Sequence, residues 1–159
     1  MSNYLATASY KLAAHLPHQL PADTGREVAF AGRSNAGKSS ALNAMCNQHR
    51  LAKTSKTPGR TQQLVFFEVV PDRYLVDLPG YGYARASKTA RSGFRQLLDG
   101  YVQHRDTLAG VVWMLDIRRE LSAEDEIVRS LLADSGHPVL AVLTKIDKLG
   151  RVAIRERTL

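Results

Sequence analysis

One stretch constrains this chain more than any other. Gly32-Arg33-Ser34-Asn35-Ala36-Gly37-Lys38-Ser39 fits G-x-x-x-x-G-K-[ST] at every position. An apolar, strand-like segment precedes it (Glu27-Val28-Ala29-Phe30-Ala31), and Ser40-Ala41-Leu42-Asn43-Ala44-Met45-Cys46, rich in helix formers, follows. Two glycines let a backbone wrap closely round a small anion and adopt φ values that a side chain forbids. The N–H groups of such a loop, with the helix N-terminus behind them, point at phosphate oxygens. Lys38 then supplies a point charge for β- and γ-phosphates, and the Ser39 hydroxyl is placed to ligate Mg²⁺. The plain alternative is a glycine turn that merely precedes a helix.

The 159 residues suffice for one domain with a proper core. A formal charge of +7 suits a polyanionic partner, and equally suits simple solubility. The single cysteine, Cys46, excludes an internal disulfide and a cysteine-ligated metal, and fits a reducing cytoplasm. No basic segment followed by an apolar one opens the chain, so no signal peptide is expected. The apolar runs Val111 to Leu115 and Val139 to Leu143 are strand-sized, so no membrane partner is expected. His15, His18, His49, His104 and His137 lack metal-ligand spacing. The groups Lys53/Lys56/Arg60 and Arg118-Arg119 suit RNA contact or solvated surface alike.

Taken in order, residues 1–25 read as a lead-in, with Leu5, Ala8, Leu12 and His15 at helical spacing and Pro17, Pro21 and Gly25 as breakers. After the strand, loop and helix, residues 48–60 form a polar, basic connector. Leu64 to Val70 and Tyr74 to Asp77 read as an antiparallel hairpin about Pro71-Asp72-Arg73. A loop over 78–86 leads to a helix over 89–104 with Phe94, Leu97, Leu98 and Tyr101 on one face. Gly110 to Asp116 has the apolar run of a strand covered on both sides. Ser122 is the N-cap of a helix that ends near Asp134 at Gly136. Residues 138–143 read as another buried strand, and a last helix begins near Val152. This alternation predicts a three-layer α/β domain over 26–159, its sheet mostly parallel with one antiparallel strand.

Three further motifs fall where such a sheet binds ligands. Asp77-Leu78-Pro79-Gly80 follows a strand's carboxyl end, where Asp77 can hold Mg²⁺ and the Gly80 N–H can meet a γ-phosphate. Alone, D-x-x-G is indistinguishable from an ordinary turn. Thr144-Lys145-Ile146-Asp147 fits T-K-x-D. A carboxylate at Asp147 accepts from guanine N1–H and N2–H₂, donors that adenine lacks, so a buried Asp147 would reject ATP by being left unpaired. The Lys145 stem can lie over the base, although a helix cap after a strand has the same look. Thr57-Pro58-Gly59-Arg60-Thr61 occupies the loop where a switch threonine belongs.

In this combination the chain resembles the EngB (YihA/YsxC) family of bacterial Era-like P-loop GTPases. The resemblance rests on residues 32–44, on Lys56-Thr57-Pro58-Gly59-Arg60-Thr61-Gln62, on Asp77-Leu78-Pro79-Gly80-Tyr81-Gly82-Tyr83-Ala84 and on Thr144-Lys145-Ile146-Asp147-Lys148. It implies GTP and GDP binding with slow hydrolysis, a role in large ribosomal subunit assembly, and a link to cell division and septation; a monomer is expected. By the same resemblance Ser39, Thr61 and Asp77 hold Mg²⁺. Gly59, Arg60, Thr61, Gln62 and Gln63 form the first switch, and Lys38, Thr61 and Gly80 are the candidate catalytic groups.

Two features set limits on that expectation. The family's further strand with an S-A-x motif is absent, so the last βα unit, on the order of 30 residues, is expected to be missing. Exposed apolar sheet surface is the expected result. Tyr81 also stands where Ras-like enzymes carry a water-orienting Gln, which predicts slow intrinsic hydrolysis. Asn35 resembles the K⁺-coordinating asparagine of potassium-stimulated relatives, or is chosen for turn geometry. A P-loop kinase of a small metabolite and a GTP/GDP-binding module with negligible hydrolysis are the other readings; T-K-x-D argues against the kinase.

Overall fold

The computed structural model describes residues 3–52, 63–82 and 88–158. Its strands are β1 (Ser9–Ala14), β2 (Arg26–Gly32), β3 (Leu64–Val70), β4 (Arg73–Asp77), β5 (Leu108–Asp116) and β6 (Val139–Thr144). Its α-helices are α1 (Lys38–Met45), α2 (Lys88–His104), α3 (Ala123–Asp134) and α4 (Arg151–Thr158), with short 3₁₀ turns at Tyr4–Thr7, Pro17–Gln19 and Ile146–Lys148. The six strands form one sheet in the order β1-β3-β4-β2-β5-β6. β3 runs antiparallel to both its neighbours, while β2 is parallel to β4 and β5, and β5 to β6. The fold is the expected three-layer α/β sheet with one antiparallel strand.

Alternation along β2 assigns the layers. Ala29 and Ala31 face a cluster with Tyr101 and Val102 of α2 and Val128 and Leu132 of α3. Phe30 points the other way, into a cluster with Leu42 of α1, Phe67, Leu75 and Met114. A strand buried on both faces needs apolar residues at every position, which is why β2 and β5 read as continuous hydrophobic runs. Asp72, at φ 60°, closes the β3–β4 turn, a conformation that a short polar side chain tolerates. Ser122 caps α3 in a reciprocal box with Asp125, and Gly136 at φ 71° follows the helix, as expected.

The lead-in departs from the expectation. Its apolar spacing suggests a helix, yet residues 9–14 form an edge strand paired with β3 from Ser9↔Glu68 to Ala14↔Leu64. An irregularity between Tyr10 and Leu12 breaks the period-2 signal that would have revealed it. β6 departs too. It reads as buried but lies at the sheet edge, with Val139, Leu140 and Leu143 exposed, Leu140 to 62 %. No residue of α4 is buried among those described.

The end of the sheet away from the glycine loop is locked by a charged cluster. Glu27 is fully buried on β2 and accepts from Arg105 Nη2 (2.6 Å) and Nε (3.0 Å) and from the Tyr101 hydroxyl (2.7 Å). Asp23 accepts from the Thr107 N–H (2.9 Å) and hydroxyl (2.6 Å) beside it. Burial first, and then the Glu27 charge, push the Tyr101 phenol well above its ordinary range, so it stays a neutral donor.

Candidate functional site

β2 delivers the chain to Gly32 and α1 departs at Lys38, so the loop sits at the carboxyl edge of the sheet. Asn35 has φ 64° and Gly37, at the head of α1, φ 105°. A Cβ on Gly37 would meet nothing nearer than Thr144 Cγ2 at 3.8 Å, so backbone conformation, not space, selects glycine there. The left-handed φ of Asn35 is by itself sufficient reason for an asparagine. Lys38 is only 8 % exposed and its Nζ donates to the Gly32 carbonyl (3.4 Å).

Asp77 lies opposite, at the end of β4, in register with Phe30 of β2. Burial pushes its carboxyl up from the usual range, against the Lys38 charge and the Ser39 hydroxyl, which favour the anion. Burial likewise pulls the Lys38 ammonium down, and Asp77 resists that. Asp77 Oδ1 is buried and has no hydrogen-bond partner among the described residues. A buried carboxylate oxygen left unsatisfied is costly, and beside a lysine and a serine hydroxyl it suits a hydrated cation. No group of three or more His, Cys, Asp or Glu able to hold a metal occurs among the described residues. A lone carboxylate with a hydroxyl suits Mg²⁺, which keeps waters and takes phosphate oxygens for its other ligands.

The D-x-x-G arm is laid across the loop. Leu78 N–H donates to the Phe30 carbonyl (3.1 Å) and Ser34 N–H to the Tyr81 carbonyl (2.9 Å). A Cβ on Gly80 would stand 3.0 Å from Ser34 Cα and 3.4 Å from Lys38 Nζ, so only glycine lets the arm approach this closely. Between arm and loop opens a cleft of ≈ 410 Å³, lined by Ser34, Lys38, Ser39, Gln63, Asp77 and Gly80 among others, with Leu78 and Pro79 on one wall.

The fourth motif closes the other end. The Thr144 hydroxyl donates to the Ala36 carbonyl (2.8 Å). Lys145, itself left-handed at φ 60°, donates from Nζ to the Asn35 carbonyl (2.6 Å) and to Asp116 Oδ2 (2.9 Å). This straps the lysine stem over the glycine loop. Asp116 is held far below the usual carboxylate range by Arg118 first and Lys145 second. Asp147 contrasts with it. Its side chain is 67 % exposed and pairs with Lys148 (3.0 Å), which keeps it below the ordinary carboxylate range. The expected burial of Asp147 is therefore not found, because it sits in a turn with no buried residue after the edge strand β6, where Ile146 is exposed too.

The structure thus brings Gly32, Arg33, Ser34, Asn35, Ala36, Gly37, Lys38, Ser39, Gln63, Asp77, Gly80, Thr144 and Lys145 to one edge of the sheet, with Ile146 and Asp147 beyond them. The expected switch residues Gly59, Arg60, Thr61 and Gln62 lie outside the described residues, as do Lys53, Lys56, Tyr83 and Ala84. Two acids had not been singled out from the sequence. Asp116 ends β5 at the same sheet edge as Asp77, a position that the strand-end rule could have flagged. Asp125 carries no such signal, since in the sequence it reads only as an acidic first-turn residue.

Comparison with known proteins agrees with this geometry. Residues 27–145 match the family of 50S ribosome-binding GTPases. The probable GTP-binding protein EngB of Xylella fastidiosa (strain Temecula1) is 56% identical over 151 residues, which cover 95% of this chain and 74% of that protein. Its counterpart in Xanthomonas oryzae pv. oryzae (strain PXO99A) is 54% identical over 95% of this chain and 73% of its own. The chain therefore spans about three quarters of the length of these relatives. Among solved structures, a probable GTP-binding protein engB superposes with a TM-score of 0.62 at 21% identity, over 82% of this chain and 79% of that one. Era in complex with MgGDPNP and nucleotides 1506–1542 of 16S ribosomal RNA gives 0.61 at 23% identity, over 82% of this chain and 45% of Era. The structural neighbours speak for the fold, and the sequence relatives for the lineage: this chain belongs to the EngB family of GTP-binding proteins, within the 50S ribosome-binding GTPases.

Proposed function

We propose that this GTP-binding protein hydrolyses GTP slowly, as a nucleotide-gated switch in assembly of the large ribosomal subunit, with the link to cell division and septation that its resemblance implies. The observation that carries the nucleotide site is Oδ1 of Asp77, buried beside Lys38 and Ser39 in the cleft with no partner among the described residues. Lys38 and the loop N–H groups bind β- and γ-phosphates. Ser39, Asp77 and, from the first switch, Thr61 hold Mg²⁺, which neutralises charge shared by those phosphates when bound. The Gly80 N–H meets the γ-phosphate. Asp147 accepts from the guanine edge, and the Lys145 stem lies against the base. Arg33, Ser34, Asn35, Ala36 and Gly37 line the phosphate side, with Gly59, Arg60, Gln62 and Gln63 closing from the switch and Leu78, Pro79, Thr144 and Ile146 framing the rest.

Slow turnover follows from Tyr81. Its hydroxyl is buried, accepting from Trp113 Nε1 (2.8 Å) and donating to Asp125 Oδ1 (2.8 Å), so it cannot orient an attacking water. The same observation favours a second reading, a module that holds GTP or GDP and barely hydrolyses either. The charge of +7, with no membrane-length apolar helix among the described residues, suits a cytoplasmic partner built on RNA phosphate. Large ribosomal subunits should pellet more of the protein with a non-hydrolysable GTP analogue than with GDP, less so as salt rises, and should raise multiple-turnover phosphate release. Running that release assay in K⁺ and in Na⁺ tests Asn35 as a potassium ligand. Equal pelleting in both nucleotide states defeats the switch, and release that subunits leave near zero selects the second reading.

A further inference from the structure

The hydroxyl of Tyr81, the residue that follows the D-x-x-G arm, is pinned by groups outside every nucleotide motif. Asp125, on α3, is 1 % exposed. Its Oδ1 accepts from the Tyr81 hydroxyl, and its Oδ2 accepts from the Ser122 N–H (2.8 Å), the Ser122 hydroxyl (2.8 Å) and Arg33 Nη1 (3.3 Å). The Tyr81 hydroxyl also accepts from Trp113 on β5, so both its donor and its acceptor roles are filled. Arg33 belongs to the phosphate loop and pairs with Tyr81 in an isolated bridge. Its guanidinium passes so close to Gly82 (φ 74°) that a Cβ there would stand 2.8 Å from Arg33 Nε. Phosphate loop, arm, central strand and α3 thus meet at one buried carboxylate.

The consequence concerns Gly80. Tyr81 is its neighbour, and the Tyr81 carbonyl takes the Ser34 N–H. Fixing the Tyr81 ring in the core therefore anchors the arm one residue beyond Gly80, whose backbone lies so close to the loop that a Cβ on it would stand 3.4 Å from Lys38 Nζ. We infer that Asp125 is a positioning residue for the γ-phosphate: through the Tyr81 hydroxyl it holds the Gly80 peptide in place over the phosphate loop. This deepens the GTP-switch reading and rests on it. A buried, charge-assisted network of this kind is rigid while complete and costly when one member is lost. GDP offers nothing for Gly80 to meet, so loosening the arm acts on the triphosphate state alone.

The test compares affinities for GDP and for a non-hydrolysable GTP analogue, in the presence of Mg²⁺, for the parent protein, Tyr81→Phe, Asp125→Asn and Ser122→Ala. Loss of one buried hydrogen bond to a charged group weakens what it positions by about tenfold. Tyr81→Phe and Asp125→Asn should each lose that factor for the analogue and less than about twofold for GDP. Trp113 is the single tryptophan, and its emission should shift in both variants. Ser122→Ala removes the helix cap and one of the three donors to Asp125 Oδ2, but leaves the Ser122 N–H and Arg33 on that oxygen and Tyr81 on Oδ1, so it should lower the melting temperature and change the GTP:GDP preference by less than Asp125→Asn does. Equal losses for both nucleotides, an unchanged ratio in Tyr81→Phe, or a ratio change in Ser122→Ala as large as in Asp125→Asn would each overturn the inference. If the parent protein bound neither nucleotide, the GTP reading would fall and this inference with it. Normal parent binding with unaffected variants would overturn the positioning role alone.

Discussion

Lys38 and Asp77 are buried together with opposite charge, and each shifts in the direction that burial dictates while its partner resists. Removing the lysine deletes the charge at the β-phosphate and leaves a buried carboxylate without its counter-charge. Lys38→Ala should therefore weaken GDP and GTP alike, by roughly 10–100-fold on the scale of hydrogen bonds to charged groups. Isothermal titration checks this, and a loss confined to GTP would contradict the assignment. Asp147→Asn should move preference from GTP toward xanthosine triphosphate, whose C2 oxygen accepts from the new amide; unchanged GTP affinity would remove Asp147 from the guanine site. At this scale the sequence was informative wherever a residue type answers to its own backbone, as with Gly37 and Asn35. It could not show that Asp147 is exposed or that Asp125 is buried, because neighbours far along the chain decide both.

Among the elements, β2 is held at both ends by opposite devices, the phosphate loop at its carboxyl end and the Glu27–Arg105 pair at the other. Arg105 is 7% exposed and makes two of its hydrogen bonds to Glu27 Oε1, so deleting the carboxylate strands a buried guanidinium. Glu27→Ala should cost about 3–5 kcal/mol in urea unfolding. A loss under about 1 kcal/mol would mean that Arg105 finds water or Asp23 instead. Most elements were legible from apolar period and caps: β2, the β3–β4 hairpin, α3 with its Ser122 cap, and β5. β1 was not, since its irregular register hides alternation and its strand character comes only from pairing with β3.

Across the whole molecule, the sheet has two unlike flanks. One ends in β1, braced by the Lys11–Glu68 ion pair (3.0 Å), and the other in β6 with its apolar side chains in solvent. Leu140→Lys should cost no more than about 0.5 kcal/mol, since little contact is lost, while reducing concentration-dependent light scattering through charge on an edge strand. A large fall in the urea midpoint would instead show that Leu140 is packed in solution.

The sequence by itself determined the motif set, the order of strand and helix units, the lineage and the glycine loop between β2 and α1. Each of these is written in local spacing, where a glycine's φ, a cap or an apolar run needs no distant partner. Tertiary structure decided which acids are buried, exposed or reached by distant partners. Asp77 Oδ1 is buried without a partner among the described residues, Asp116 gained Lys145 beside Arg118, Asp147 stayed in water, and Asp125 collected Arg33, Tyr81 and Ser122. Those environments join residues as far apart as Asn35 and Lys145, and the electrostatics of a carboxylate depends on what surrounds it in space as well as on chain neighbours such as Arg118 and Lys148.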